Sequence, residues 1–271
     1  MTKKKVAFVT GASRGIGAAS AVALAEAGYD VAMSARTLIE GETADGRPLP
    51  GSLEATSRRV EEHGKSALAL PMDLLDAESI DAALDTTLAE WGHIDLLLNN
   101  GIYTGPGNMD FFLDLDLETI ETIFRANFFA QIHITGRVLP GMLERGQGRV
   151  INMVSNAGLS DPPAPPDDGG WGYAYAASKA ALHRMVGCLA VEHPDSGVHF
   201  FNLEPGFVMT EAMKLNDPDG RIAAIFPPAP PSVPAAAIAW LASHPGAPEL
   251  NGQTIFAQPF CIEQDLHPRW R

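Results

Sequence analysis

Cysteine is almost missing from this chain: Cys188 and Cys261 are the only two among 271 residues. Two cysteines build neither a disulfide framework nor a thiolate metal site, and the count fits a reducing compartment, so a cytoplasmic location is expected. Positive charge is also scarce. Nineteen Lys and Arg stand against 33 Asp and Glu, a formal net charge of −14, which argues against nucleic acid and anionic membrane surfaces as partners. No apolar run approaches the ~20 residues that span a bilayer. The eight histidines fall at no metal-ligand spacing, so no metal is expected. The opening MTKKKVAFVTGA is basic, but its short apolar run leads straight into a Gly-rich turn and reads as a strand, not a secretion signal.

What the chain does have is 46% hydrophobic residues, ample for a buried core, and one persistent rhythm. The strand-like segments are KVAFVT, DVAMSA, SALALPMD, IDLLLN, GRVINMVS, GVHFFNLEP and GQTIFAQ. They alternate with the helix-like IGAASAVALAEAGY, SLEATSRRVEEHG with Ser52 as N-cap, AESIDAALDTTLAEWG, the long DLETIETIFRANFFAQIHITGRVLPGML, residues 173 to about 193, and PAAAIAWLAS. Near-continuous apolar strands between helices predict an α/β fold: one domain over 1–271, a doubly wound parallel sheet with helices on both faces. Three segments interrupt it: 36–51, 160–170 and 216–234. The proline-rich last one is expected to form neither regular helix nor central strand. The second and third follow strand C-termini, where ligands bind in such sheets, so binding roles stand beside plain surface insertion.

TGASRGIG, Thr10 to Gly17, ends the first strand and opens the first helix. Gly11, Gly15 and Gly17 allow a tight turn and close approach of a ligand, and the helix N-terminus offers N–H groups and a positive dipole end to phosphate. At the first strand–helix turn of an alternating chain this is a dinucleotide signature. The pattern TGxxxGxG resembles the short-chain dehydrogenases/reductases, and the later motifs extend the resemblance over most of the chain. It implies a Rossmann-type sheet whose loop, Gly11, Ser13, Arg14, Gly15, Ile16 and Gly17, holds the pyrophosphate of a nicotinamide dinucleotide.

The second strand ends SARTL. Ala35 stands where an acid would accept the ribose 2′-OH of NAD, and Arg36 follows, with Arg14 in the Gly loop. Two arginines and no acid favour NADP(H) over NAD(H); the plain alternative is that Arg36 is a solvated charge and Arg14 covers the adenine. By the resemblance, Asp73 contacts the adenine amino group and Leu74 adds a backbone contact. After the fourth strand the family usually reads Asn-Asn-Ala-Gly, whereas this chain reads Asn99-Asn100-Gly101 without the alanine. Gly101 still permits close approach to the ribose, and Asn99 and Asn100 both remain candidates for the family asparagine, with Asn100 preferred. Pro205, Gly206 and Thr210 match the family's Pro-Gly…Thr, with Val208 placed to bond the nicotinamide carboxamide through its backbone.

In YAYAASKAAL, Tyr175 and Lys179 are four apart and share a helix face, while Tyr173 does not. A phenol with an ordinary pKa near ~10 exchanges protons poorly at neutrality unless its anion is stabilised, and an adjacent ammonium does that. Ser155, just past a strand end, offers a hydroxyl to a substrate oxygen. Asn127, Ser155, Tyr175 and Lys179 fall in the order of the family's Asn-Ser-Tyr-Lys tetrad. The resemblance implies Tyr175 as general acid or base, Lys179 lowering its pKa and bonding the nicotinamide ribose, Ser155 orienting the substrate oxygen, and Asn127 holding a water linked to Lys179. Glu204 faces substrate or, preferably, caps its strand. Trp171, Tyr103, Phe207, Met213 and Phe226 sit in candidate mouth segments and point to an apolar substrate, although packing accounts for each equally well.

The expected activity is hydride transfer between NADP(H) and a ketone or secondary alcohol. A non-enzymatic NADP-binding regulator on the same fold is the alternative, and an epimerase or dehydratase using the same pair is a third reading. The resemblance also implies a dimer or tetramer built on the long helices 117–143 and 173–193.

Overall fold

The computed structural model describes residues 4–40, 49–217, 219–225 and 227–270. Its strands are β1 (Lys5–Thr10), β2 (Tyr29–Ala35), β3 (Ala67–Pro71), β4 (Leu96–Asn99), β5 (Gly148–Met153), β6 (Val198–Glu204) and β7 (Thr254–Phe256). They form one all-parallel sheet in the order β3-β2-β1-β4-β5-β6-β7. This is the expected Rossmann-type α/β fold.

The unbroken apolar strands follow from burial of both sheet faces. Along β1, Ala7 and Val9 join one core and Val6 and Phe8 the other; along β6, Phe201 and Leu203 pack opposite Phe200. The first core is closed by α1 (Gly15–Glu26), α2 (Leu53–Glu61), α9 (Ser232–Ser243) and α10 (Ala257–Glu263), through Leu24, Leu53, Ile238 and Cys261. The second is closed by α3 (Ala77–Trp91), α5 (Ala130–Arg145) and α6 (Tyr173–Glu192), through Ile80, Leu84, Ile134 and Val186.

The structure departs from the expected elements in three places. The long helix is α4 (Leu117–Phe124) and α5 joined by a π-helical turn, Arg125–Phe129. The segment 216–234 is not wholly irregular: α7 (Glu211–Asn216) reaches into it, α8 (Arg221–Ile225) lies within it, and α9 begins at Ser232. Pro234 is tolerated in α9 because first-turn N–H groups have no intrahelical acceptor to lose. The last strand is shorter than GQTIFAQ, and the chain turns into α10 at Ala257. Of the loop 36–51, residues 41–48 lie outside the described residues, as does Phe226.

Strand order reverses between β1 and β4, since β1 pairs with β2 on one side and β4 on the other. The loops leaving their carboxyl ends diverge there and open a crevice.

Candidate active site

A cavity of about 330 Å³ occupies that crevice. Its wall is made by the Gly loop after β1, Ala35 to Thr37 after β2, Asp73 and Leu74 after β3, Asn100 to Thr104 after β4, Ser155 after β5, and Glu204 to Gly206 after β6. Tyr175 and Lys179 line it from α6.

The Gly loop is packed as tightly as its sequence requires. Gly11 has φ +68°, and a Cβ there would stand 2.8 Å from Gly101 Cα. A Cβ on Gly17 would meet Gly11 O at 2.2 Å and Asn100 Nδ2 at 2.6 Å. Asn100 Nδ2 donates to Thr10 O at 2.8 Å, and Thr10 Oγ1 accepts the N–H groups of Asn100 and Gly101. Asn100 therefore stitches β4 to the Gly loop. Asn99 instead points into the sheet, donating to Thr135 Oγ1 and Asn152 Oδ1. Asp73 Oδ1 accepts the Leu75 N–H at 3.0 Å and so holds the turn after β3.

Both arginines line the cavity. Arg36 is exposed and donates to Thr104 Oγ1 at 3.1 Å. Arg14 donates to the carbonyls of Pro50 and Gly51 and to Thr37 Oγ1. Its guanidinium is thereby held beside the end of β2, with Ala35 and no acid at that strand end.

On the catalytic side, Lys179 is 2% exposed and donates from Nζ to Met153 O at 2.8 Å. Burial pulls its pKa down from 10.5 to about 8. Burial also raises the pKa of the Tyr175 phenol above its ordinary value; a hydrogen bond with the Ser155 hydroxyl lowers it, and the charge of Glu204 raises it further. That net direction is opposite to the shift expected from Lys179. The ammonium is directed at a backbone carbonyl, and desolvation of the phenol outweighs the rest.

Ser155 reaches α6 through a glycine that sequence reasoning passed over. Ser155 caps the 3-10 turn Asn156–Gly158, its Oγ accepting the Ala157 N–H at 3.2 Å. A Cβ on Gly158 would meet Ala180 N at 2.5 Å and Lys179 C at 2.7 Å. Only a residue without a side chain lets the serine turn lie on the backbone of the tyrosine helix. Glu204, 8% exposed, accepts the Gly206 N–H on Oε2 at 3.0 Å, the expected strand cap. It also lines the cavity, so capping and facing the ligand space are combined in one residue. Burial raises its pKa against the backbone hydrogen bonds from Gly206 and Asn156.

Two expected site residues lie off the cavity wall. Asn127, fully buried in the π-turn, accepts the Tyr103 N–H on Oδ1 at 2.7 Å and donates to Ser178 Oγ at 3.1 Å. Ser178 in turn donates to Tyr175 O at 2.8 Å. Asn127 thus props the loop after β4 against α6 and makes no described contact with Lys179. Val208 is buried, and its carbonyl accepts the Thr210 N–H, because a β-bridge with Ala229 fixes its backbone. Of the mouth candidates, Tyr103 lines the cavity; Trp171, Phe207 and Met213 do not, and no residue of the 160–170 loop does.

The chain matches the short chain dehydrogenase family over residues 5–220. It is 34% identical over 216 residues to dehydrogenase/reductase SDR family member 7 of Mus musculus, covering 77% of this chain and 57% of that protein. The chain belongs to the short-chain dehydrogenase family. It is also 30% identical to a 3-oxoacyl-[acyl-carrier-protein] reductase of Synechocystis sp., over 93% of this chain and 94% of the relative. A crystal structure of actinorhodin polyketide ketoreductase with NADPH superposes with a TM-score of 0.79 at 26% identity, covering 94% of this chain and 96% of the other. The chain thus spans just over half the length of its mouse relative and nearly all of the other two.

The residues present fit the dinucleotide of this family. At the N-terminus of α1, the N–H groups of Ile16 and Gly17 donate to no described residue. The Gly15 N–H already holds an anion, the Glu211 carboxylate, at 2.9 Å. Free donors, a positive helix end and a floor that any Cβ would fill make a phosphate cradle.

Proposed function

We propose that the chain is an NADP(H)-dependent oxidoreductase that interconverts a ketone and a secondary alcohol. The observation that carries the reading is the single cavity: Ser155, Tyr175 and Lys179 line the same space as the Gly loop. A dinucleotide held by the Gly loop would share its space with the Tyr175 phenol. The names of the relatives, an oxoacyl reductase and a polyketide ketoreductase with NADPH, agree with this chemistry.

When bound, the nicotinamide supplies the hydride. Gly11, Ser13, Arg14, Gly15, Ile16 and Gly17 would hold its pyrophosphate, Asp73 and Leu74 the adenine, and Asn100 and Gly101 the ribose side. Arg36 and Arg14 would take the 2′-phosphate, and Pro205, Gly206 and Thr210 would border the nicotinamide. Ser155 donates its hydroxyl to the substrate oxygen. Tyr175 gives that oxygen its proton in reduction and removes it in oxidation. A phenol with a raised pKa stays protonated at neutrality, which suits the acid role. Lys179 would offer its cation to the nicotinamide ribose from the cavity wall, and Asn127 acts at one remove by fixing the loop of Tyr103 against α6.

Ile102, Tyr103, Met153 and Val154 on the cavity wall favour an apolar carbonyl substrate. A homo-oligomer is supported by apolar side chains at the starts of α4 and α6: Leu113 is 92% exposed, Leu117 76% and Phe112 64%, and Phe112 packs edge-on to Tyr173. One domain over 1–271 and a cytoplasmic site complete the reading, the latter in keeping with two free cysteines. Incubation with NADPH and a carbonyl panel tests the activity. Consumption of NADPH that depends on a ketone supports it, whereas tight NADPH binding without turnover of any carbonyl or alcohol favours the regulator.

A further inference from the structure

Glu211 is 196 residues from Gly15 in sequence, yet its Oε2 accepts the Gly15 N–H at 2.9 Å. The contact is built in from both sides. Thr210, the residue before it, caps α7 by accepting the Met213 N–H on Oγ1 at 3.2 Å. Its methyl group would lie 3.2 Å from a Cβ on Gly15, whose φ is +57°. A side chain at Gly15 would be both strained and crowded, so glycine there lets the Thr210–Glu211 corner settle on the loop. Thr210 and Ala212 form part of the cavity rim. Among the described residues Glu211 makes no ion pair; its partner is the positive end of α1. The nearby Arg14 guanidinium is directed away, to the carbonyls of residues 49–51.

We propose that Glu211 is an intramolecular competitor for the dinucleotide phosphate and sets how tightly the chain binds its cofactor. This rests on the reading that the Gly loop holds the pyrophosphate. The carboxylate occupies one N–H of the first turn, and the phosphate must take the next two, on Ile16 and Gly17. Two anions on adjacent donors repel at a few ångströms in a partly desolvated crevice. If the carboxylate stays, it opposes the phosphate. If it leaves, the hydrogen bond that seats α7 on the loop is lost. Both routes weaken binding, and the second connects cofactor arrival to the position of α7 at the rim.

The test is calorimetric titration of the full chain and of its Glu211→Gln and Glu211→Ala variants with NADPH and, separately, with adenosine 2′-monophosphate. The latter carries no pyrophosphate and so probes the far end of the site. The expected result is NADPH binding tighter by about tenfold in both variants, the scale of one hydrogen bond to a charged group, with the monophosphate unchanged. Unchanged or weaker NADPH binding in both variants overturns the proposal, as does equal tightening for the monophosphate. If wild type and variants alike fail to bind NADPH, the dinucleotide reading itself falls. Glutamine keeps an acceptor of the same shape, so a folding defect in the alanine variant does not remove the test.

Discussion

Replacing Lys179 with methionine separates what this residue does for chemistry from what it does to the fold. Its ammonium is 2% exposed, and burial holds its pKa at about 8 against 10.5 in the unfolded chain. At about 1.4 kcal/mol per pH unit, the charged form opposes folding by about 3 kcal/mol at neutral pH. Methionine has similar length and no charge. The substitution loses the hydrogen bond to Met153 O, worth about 1 kcal/mol, so the variant is expected to gain about 2 kcal/mol at pH 7, or about 3 °C in melting temperature. The pH dependence fixes the sign. Between about 8 and 10.5 the unfolded chain keeps the lysine proton that the folded chain has released, so this group makes wild-type stability climb with pH. Methionine removes that climb, and the variant's advantage should shrink and reverse by roughly 1 kcal/mol near pH 10.5. Urea denaturation of both proteins across that range measures the difference directly. A variant less stable at pH 7, or a difference that does not change with pH, would refute the reasoning. Activity should fall regardless, leaving a more stable and less active protein.

Other consequences are equally open to measurement. Gly158→Ala should cost about 1–3 kcal/mol in denaturant melts and lower kcat more than KM, because the new methyl pushes the Ser155 turn off α6; an active variant of unchanged stability would contradict the packing. Arg36→Asp should move dinucleotide preference toward NADH in paired titrations, and an unchanged ratio would remove Arg36 from the 2′-phosphate site. The raised Tyr175 pKa places the phenol's own limb in carbonyl reduction above the ordinary tyrosine range, beyond loss of the Lys179 proton at about 8. Glu204→Gln removes a negative charge that disfavours the phenolate, so that limb should move to lower pH in a pH–rate profile.

The parallel sheet was legible because apolar strands buried on both faces, punctuated by helical segments, have few other solutions. The Gly loop was legible because its tight turn is local, as between Gly17 and Gly11 O, although Gly11 also lies on Gly101 and Gly15 on Thr210. Tyr175 and Lys179 came from helix spacing. What escaped notice depends on pairs distant in sequence. Gly158 matters only because α6 lies against it, and Glu211 only because β6 returns the chain to the start of α1. The π-turn could not be read from amphipathic pattern, so the turning of Asn127 toward Tyr103 and Ser178 was hidden. Val208 illustrates the same limit, since its bridge to Ala229 reaches into the 216–234 segment that had looked irregular.

The central claim is that Tyr175 exchanges a proton with a substrate oxygen while hydride passes to the neighbouring carbon. The most direct measurement uses NADPH carrying deuterium at the transferable position, a reducible ketone, and mass analysis of the alcohol formed by wild type, Tyr175→Phe and Tyr173→Phe. Deuterium should appear at the carbinol carbon with wild type and with Tyr173→Phe, and the rate with Tyr175→Phe should be lower by at least about a hundredfold. Label transfer by Tyr175→Phe at the wild-type rate would contradict the account.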